Sequence, residues 1–256
     1  MWKQLRILVL LLILLWAALH TWMDRYSSTR WQKPLWVGIF PVADGSGRSQ
    51  SYIDSLTPAQ FADIEAFFSR EAQRYGRALQ QPIHVELYPQ LRDMPPQLEP
   101  HAGMLGAAMW SLRLRWFGWR HAQTGGRAPP RIELFVIYHD PEAHPVAPDS
   151  HGLQKGLVGV VHAFATPAMN GSNNIVIAHE LLHTLGATDK YDPRDGEPLF
   201  PSGFAEPQRQ PLYPQDKAEI MAGRRLVAPH TPVMPPSLAQ VVAGPATALE
   251  IRWTRP

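Results

Sequence analysis

Residues 175–189 read Ile-Val-Ile-Ala-His-Glu-Leu-Leu-His-Thr-Leu-Gly-Ala-Thr-Asp. Just upstream, Ser172, Asn173 and Asn174 supply N-caps for a helix that begins near Ile175. Residues four apart on a helix face the same way about one turn along the axis, so His179 and His183 can both reach one metal ion. A catalytic Zn²⁺ takes three nitrogen or oxygen ligands and keeps a fourth position for water, which leaves two histidines one ligand short. Gly186 can take the positive φ that ends a helix, so the chain turns back and brings Asp189 to the same metal. Glu180 lies beside a ligand rather than on the metal, where a carboxylate can take a proton from water. The expected set is therefore His179, His183 and Asp189 as ligands of Zn²⁺, with Glu180 as base.

Working upstream, the pattern alternates strands and helices. Residues 35–40 form a buried apolar run that reads as a first strand. Thr57 and Pro58 give an N-cap and an N1 proline; Phe61, Ile64, Phe67 and Phe68 follow at helical spacing, and Gly76 is a natural stop. Ile83, Val85 and Leu87 alternate as a half-buried strand, and residues 102–120 read as an apolar, aromatic helix. In 131–138, Ile132, Leu134, Val136 and Tyr138 share one face while Phe135 and Ile137 share the other, the mark of a central strand covered on both sides. Residues 156–165 read as an outer strand whose free edge could take an extended peptide. This order predicts an α/β (α+β) sandwich, followed by a proline-rich C-terminal part in a chain with 26 prolines.

The 256 residues suffice for one catalytic domain with a short N-terminal appendage. Lys and Arg number 24 against 22 Asp and Glu, with no dense basic block, so nucleic acid is not an expected partner. There is no cysteine, so disulfides, thiolate ligands and a catalytic thiol are excluded. Residues 7–19 are uninterrupted apolar side chains; counted through Met23 they reach the lower end of the ~17–25 residues that cross a bilayer. Trp16, His20, Trp22 and Met23 occupy the region where a small-residue cleavage site would stand, so an uncleaved transmembrane signal anchor is expected. The resulting division is a tail at 1–6, an anchor at 7–23, a polar linker at 24–34 and the catalytic domain at 35–256. The flanking charges nearly balance, and the short basic N-terminus favours the large domain outside the cytoplasm.

Other candidates read blandly. His139, Asp140, Glu142 and His144 form a solvated loop, with a second cation as the alternative. Asp192, Asp195 and Glu197 are ordinary loop charges rather than a Ca²⁺ site. No Gly-x-Ser-x-Gly elbow or phosphate-binding glycine loop is present.

The extended pattern His179-Glu180-x-x-His183-x-x-Gly186-x-x-Asp189 resembles that of the metzincin zinc peptidases, whose usual third ligand is His. An Asp there resembles the snapalysin-like branch, while Lys190-Tyr191-Asp192 is similar to the immune-inhibitor-A type of secreted bacterial peptidase. The resemblance implies a metzincin-like zincin domain: a twisted mixed sheet, an active-site helix and a C-terminal subdomain. It implies a methionine turn beneath the metal, for which Met221 in Glu219-Ile220-Met221-Ala222-Gly223 is the candidate. The tyrosine that some members place two residues after this methionine is Gly223 here, which leaves Tyr191 as the candidate to stabilise an oxyanion. The implied function is a zinc-dependent endopeptidase acting on proteins or peptides, and with the N-terminal span read above it is expected to be monomeric and single-pass, as in a bacterial inner membrane. The alternative is a non-catalytic, membrane-tethered zinc-binding interaction module, against which Glu180 speaks.

Overall fold

The computed structural model of the chain describes residues 2, 4, 6, 7, 11, 28–99, 102–121, 128–154 and 157–254. Apart from Ile7 and Leu11, the expected anchor at 7–23 lies outside the described residues; among those described, no helix is long and apolar enough to cross a membrane.

Strand β1 (Leu35–Ala43) pairs in parallel with β2 (Ile83–Leu87) on one side and β3 (Ile132–His139) on the other. A short antiparallel strand, β4 (His151–Leu153), precedes β5 (Val158–Phe164), which runs parallel to β3. The result is a five-stranded mixed sheet in the order β2-β1-β3-β5-β4. The alternation read in β3 holds: Ile132, Leu134, Val136 and Tyr138 join one buried cluster, Phe135 and Ile137 the other.

Helices α1 (Gly47–Asp54), α2 (Ala62–Arg74), α4 (Asn170–Thr184) and α5 (Pro245–Glu250) contribute to the first cluster through Tyr52, Phe67, Leu181 and Ala248. Helix α3 (Met104–His121) covers the other face with Trp110, Leu114 and Phe117. A capping box between Thr57 and Gln60 starts the 3₁₀ turn Pro58–Phe61 that leads into α2, and Gly76, at φ 69°, follows its end. Ile64, Phe67 and Phe68 of α2 are fully buried, each contributing about 1.5–3 kcal/mol of apolar transfer.

Two expectations need correction. Strand β5 is internal: β4 takes Val158–Val160, His162 N–H donates to Ser150 Oγ at 2.9 Å, and the Asn173 amide binds both the N–H and the carbonyl of Phe164 at 2.9 Å. The outer strand is thus β4, and three residues are too few to show as a period. Asn173 and Asn174 are not caps. Helix α4 starts at Asn170, after a 3₁₀ turn with Pro167 at its head, and Asn174 donates instead to the Gln60 carbonyl and the Asp63 carboxylate. These buried amides cross-link α4 to β5 and α2.

Beyond α4 the chain forms short pieces: β6 (Ala218–Glu219) parallel to β9 (Val241–Val242), and β7 (Arg225–Ala228) antiparallel to β8 (Thr231–Val233). The packed body also reaches into the stretch read as a linker. Trp31 is buried against Trp253, and its indole N–H donates to Ile251 O at 2.8 Å.

Candidate metal centre

Helix α4 buries Ile177, Ala178, Leu181 and Leu182 and turns His179 and His183 to the opposite side, towards a cleft. Gly186, at φ 99°, stops the helix as expected: its N–H bonds to His183 O and that of Ala187 to Leu182 O, both at 3.0 Å. This paired closure satisfies the last carbonyls and reverses the chain. Asp189 then meets both imidazoles. His179 Nε2, His183 Nε2 and Asp189 Oδ1 stand 3.1 Å from one another on every edge of a triangle. Donors on a tetrahedral Zn²⁺ at about 2.0–2.1 Å are roughly 3.3–3.4 Å apart, so this set fits the ion to within a few tenths of an ångström.

Main-chain carbonyls orient both rings. His179 Nδ1 lies 2.9 Å from Ile220 O, and His183 Nδ1 2.9 Å from Ala187 O. A carbonyl can only accept, so each Nδ1 carries hydrogen, and it is Nε2 of each ring that, once it gives up its own proton, supplies the lone pair a metal ligand requires. Burial works against charge on His179, but the Asp189 carboxylate and Glu180 push its pKa up to about 9. Burial would raise the Asp189 carboxyl, and the hydrogen bonds from His179 and His183 instead hold it far below the usual carboxylate range. The triangle therefore attracts positive charge.

Glu180 is 4% exposed, and its Oε2 has no hydrogen-bond partner among the described residues. Burial raises its pKa, while the two histidines pull it down. An orphaned buried carboxylate oxygen beside three convergent donors suits a proton acceptor for water.

Several residues hold this centre in ways the motif did not assign. Lys190 is buried; its ammonium donates to Thr188 O and Oγ1 and to both oxygens of Glu250 at 2.7–2.9 Å. Its backbone N–H donates to Met221 O at 3.0 Å. The loop carrying Asp189 is thereby fastened to α5 and to the 219–223 turn. In that turn the buried Glu219 carboxylate accepts from the N–H groups of Met221, Ala222 and Gly244 and from the Thr247 hydroxyl. Met221 is fully buried, one residue beyond the carbonyl that orients His179. The Tyr191 ring lies 6.5 Å from that of His179, and burial together with Asp189 and Glu180 raises its phenol. Met221 and Tyr191 are expected here; of Thr188, Lys190, Glu219 and Glu250, only Glu219, beside the candidate methionine, stands where the sequence could have marked its role.

The centre opens onto a cleft of about 870 Å³ lined by both histidines, Glu180, Asp189, Tyr191 and the β4 segment. Strand β4 lies close over α4: a Cβ on Gly152 would stand 2.3 Å from Glu180 O and 2.8 Å from His183 Cβ. Among the described residues β4 pairs only with β5, which makes it an edge strand beside the cleft.

Fold and donors together define a mixed α/β protein with a candidate divalent-metal centre beside a cleft. No family model matches the chain, and no curated protein matches it in sequence. Among solved structures it is similar to wild-type OgpA from Akkermansia muciniphila, at 13% identity and a TM-score of 0.37, with 84% of this chain and 58% of that chain covered. It is likewise similar to catalytically inactive OgpA in complex with an O-glycopeptide (glycodrosocin) substrate, at 12% identity and the same TM-score and coverage. The chain thus spans under two thirds of the length of OgpA, and so distant a likeness says nothing of its activity.

Proposed function

We propose that this chain is a zinc-dependent endopeptidase of the metzincin-like type, with His179, His183 and Asp189 as ligands and Glu180 as general base. The observation that carries the reading is the 3.1 Å triangle of three convergent donors with a buried, partly unpartnered carboxylate beside it. A purely structural zinc site would fill its fourth position from the protein and has no use for that carboxylate. The apolar segment 7–23 makes the enzyme a single-pass membrane protein, with its catalytic domain on the extracytoplasmic side of a bacterial inner membrane.

Bound zinc would supply Lewis acidity, polarising a scissile carbonyl and lowering the pKa of water towards ~7. The chain's own groups do the rest. Glu180 takes the proton of the attacking water and delivers it to the leaving amine nitrogen. The edge strand β4 holds an extended peptide by main-chain hydrogen bonds across the cleft. Tyr191, kept neutral, donates to the oxygen on which charge develops, and Met221 and Gly186 hold the floor and the turn of the site.

Hydrolysis of a quenched-fluorescent peptide library by the full chain tests this, beside Glu180→Gln and His179→Ala. The expected result is cleavage that both variants abolish, with one equivalent of zinc lost only in His179→Ala. Retained zinc with no cleavage of any peptide would establish the non-catalytic binding module instead.

A further inference from the structure

Away from the triangle, Gln97, His162, His139 and Asp44 form a line in which each hydrogen can be assigned. Gln97 Nε2 donates to Pro95 O at 2.9 Å, which turns Gln97 Oε1 towards His162 Nε2 at 3.1 Å. An amide oxygen only accepts, so His162 Nε2 carries the hydrogen and His162 Nδ1 is a lone pair. That lone pair lies 2.7 Å from His139 Nε2, which must then be the donor. With its one hydrogen on Nε2, the His139 ring is left with a lone pair on Nδ1. His139 is 8% exposed, and its Nδ1 has no hydrogen-bond partner among the described residues.

What this nitrogen faces is a carboxylate: Asp44 Oδ2 is 3.8 Å away. Burial would raise the Asp44 carboxyl, but hydrogen bonds from the Ser49 hydroxyl and from the N–H groups of Ser46 and Asp140 hold it well below its usual range. The His144 ring stands edge-on to His139, centroids 5.3 Å apart, and one donor atom from each of Asp44, His139 and His144 lies within 4.8 Å of the others. Two acceptors aimed at each other in a buried place favour a cation between them. We propose that Asp44, His139 and His144 form a second metal site. Two imidazole nitrogens and one carboxylate oxygen select a borderline ion such as Zn²⁺ over Ca²⁺ or Mg²⁺. The exposed His144 swings inward on loading.

Titration of the chelator-free full chain with Zn²⁺ against a competing chelator tests the site. Two equivalents are expected, one removed by His179→Ala and the other weakened at least about 10-fold by His144→Ala, whose exposed side chain leaves the fold unchanged by circular dichroism. A single equivalent, lost in His179→Ala and untouched in His144→Ala, would overturn the proposal. The two variants read the sites separately, so failure of one reading does not disguise failure of the other.

A separate observation concerns α3. Its sheet-facing side is buried, and its opposite side exposes Leu105, Met109, Leu112, Trp116 and Trp119 at alternating spacings of four and three, with Leu105 85% and Trp119 71% exposed. At 100° per residue, Arg113 and Arg120 border this stripe on one side and Arg115 on the other, and the helix contains no acidic residue. Like charge on both borders opposes a second copy packed stripe to stripe and complements anionic headgroups. We infer that α3 lies in the membrane interface, with its leucines and tryptophans at the acyl boundary and its arginines on lipid phosphates.

Because the chain has no cysteine, Leu112→Cys gives a unique attachment point for an environment-sensitive fluorophore. In vesicles of phosphatidylcholine and phosphatidylglycerol the label on the full chain should shift to the blue and be quenched by brominated lipid, and less so without phosphatidylglycerol. A label at Asp54→Cys, on the other side of the sheet, should do neither. A Leu112 label that stays in water, or one that shifts with protein concentration in the absence of lipid, would overturn the inference.

Discussion

His179 and His183 can act as a pair because each gives its Nδ1 hydrogen to a carbonyl, of Ile220 and of Ala187, so that the ring is fixed before any ion arrives. Asp189 is the exposed member of the triangle, and its replacement disturbs little else. Asp189→Asn should therefore leave the melting temperature nearly unchanged and weaken zinc at least about 10-fold in a chelator competition. Positioning can be separated from ligation at Lys190. Glu250→Ala removes the partner that fastens the Asp189 loop without touching the triangle, and should weaken zinc by a smaller factor, with the fold intact by circular dichroism. Glu133 reports on pH. Burial, only partly offset by His121, raises its carboxyl to about 7 from the ordinary 4.5. A raised folded-state pKa gives stability that is complete below about 4.5 and lost as pH rises through 7, here up to roughly 3 kcal/mol. Urea midpoints should fall between pH 5 and 8 in the wild type and fall less in Glu133→Gln.

Among the elements, those with a period or a punctuated start could be read and those defined by a distant partner could not. The alternation of Ile132, Leu134, Val136 and Tyr138 and the Thr57-Pro58 start each carry their own signal, and both elements stand where expected. Helix α1 does not: Tyr52 and Ile53 are its apolar anchors in the core, too few to show a period, and the Ser46 cap and the Asp44 carboxylate complete its hold. The two-residue ladder between β6 and β9 joins segments more than twenty residues apart and leaves no local trace. In the candidate site, spacing marked the donors and Gly186, whereas the carbonyls that orient the rings have no sequence signature at all. Strand β4 is likewise visible only through its neighbours, and its closeness to α4 can be tested. Gly152→Val should push β4 off α4, lower the melting temperature by several degrees and reduce peptide turnover more than zinc content.

Two apolar clusters lie on the two faces of one sheet, and the one beneath α1, α2 and α4 is closed by the C-terminal residues. Trp253 is buried among Trp31, Phe68 and Tyr75, and Ile251 is fully buried beneath them. Trp253→Ala should cost about 3–5 kcal/mol in a urea titration.

The clasp between Trp31 and Ile251 also sets a distance. Ser28 and Thr29 are already buried, so if 7–23 spans a bilayer, as proposed above, only residues 24–27 would separate the lipid from the packed body. Five peptide steps from Met23 to Ser28 extend to roughly 18 Å at most. On the proposed reading the enzyme would work on a short leash: it would meet what is embedded in, or passing close to, its own membrane, and a substrate diffusing freely at a distance would stay out of its reach.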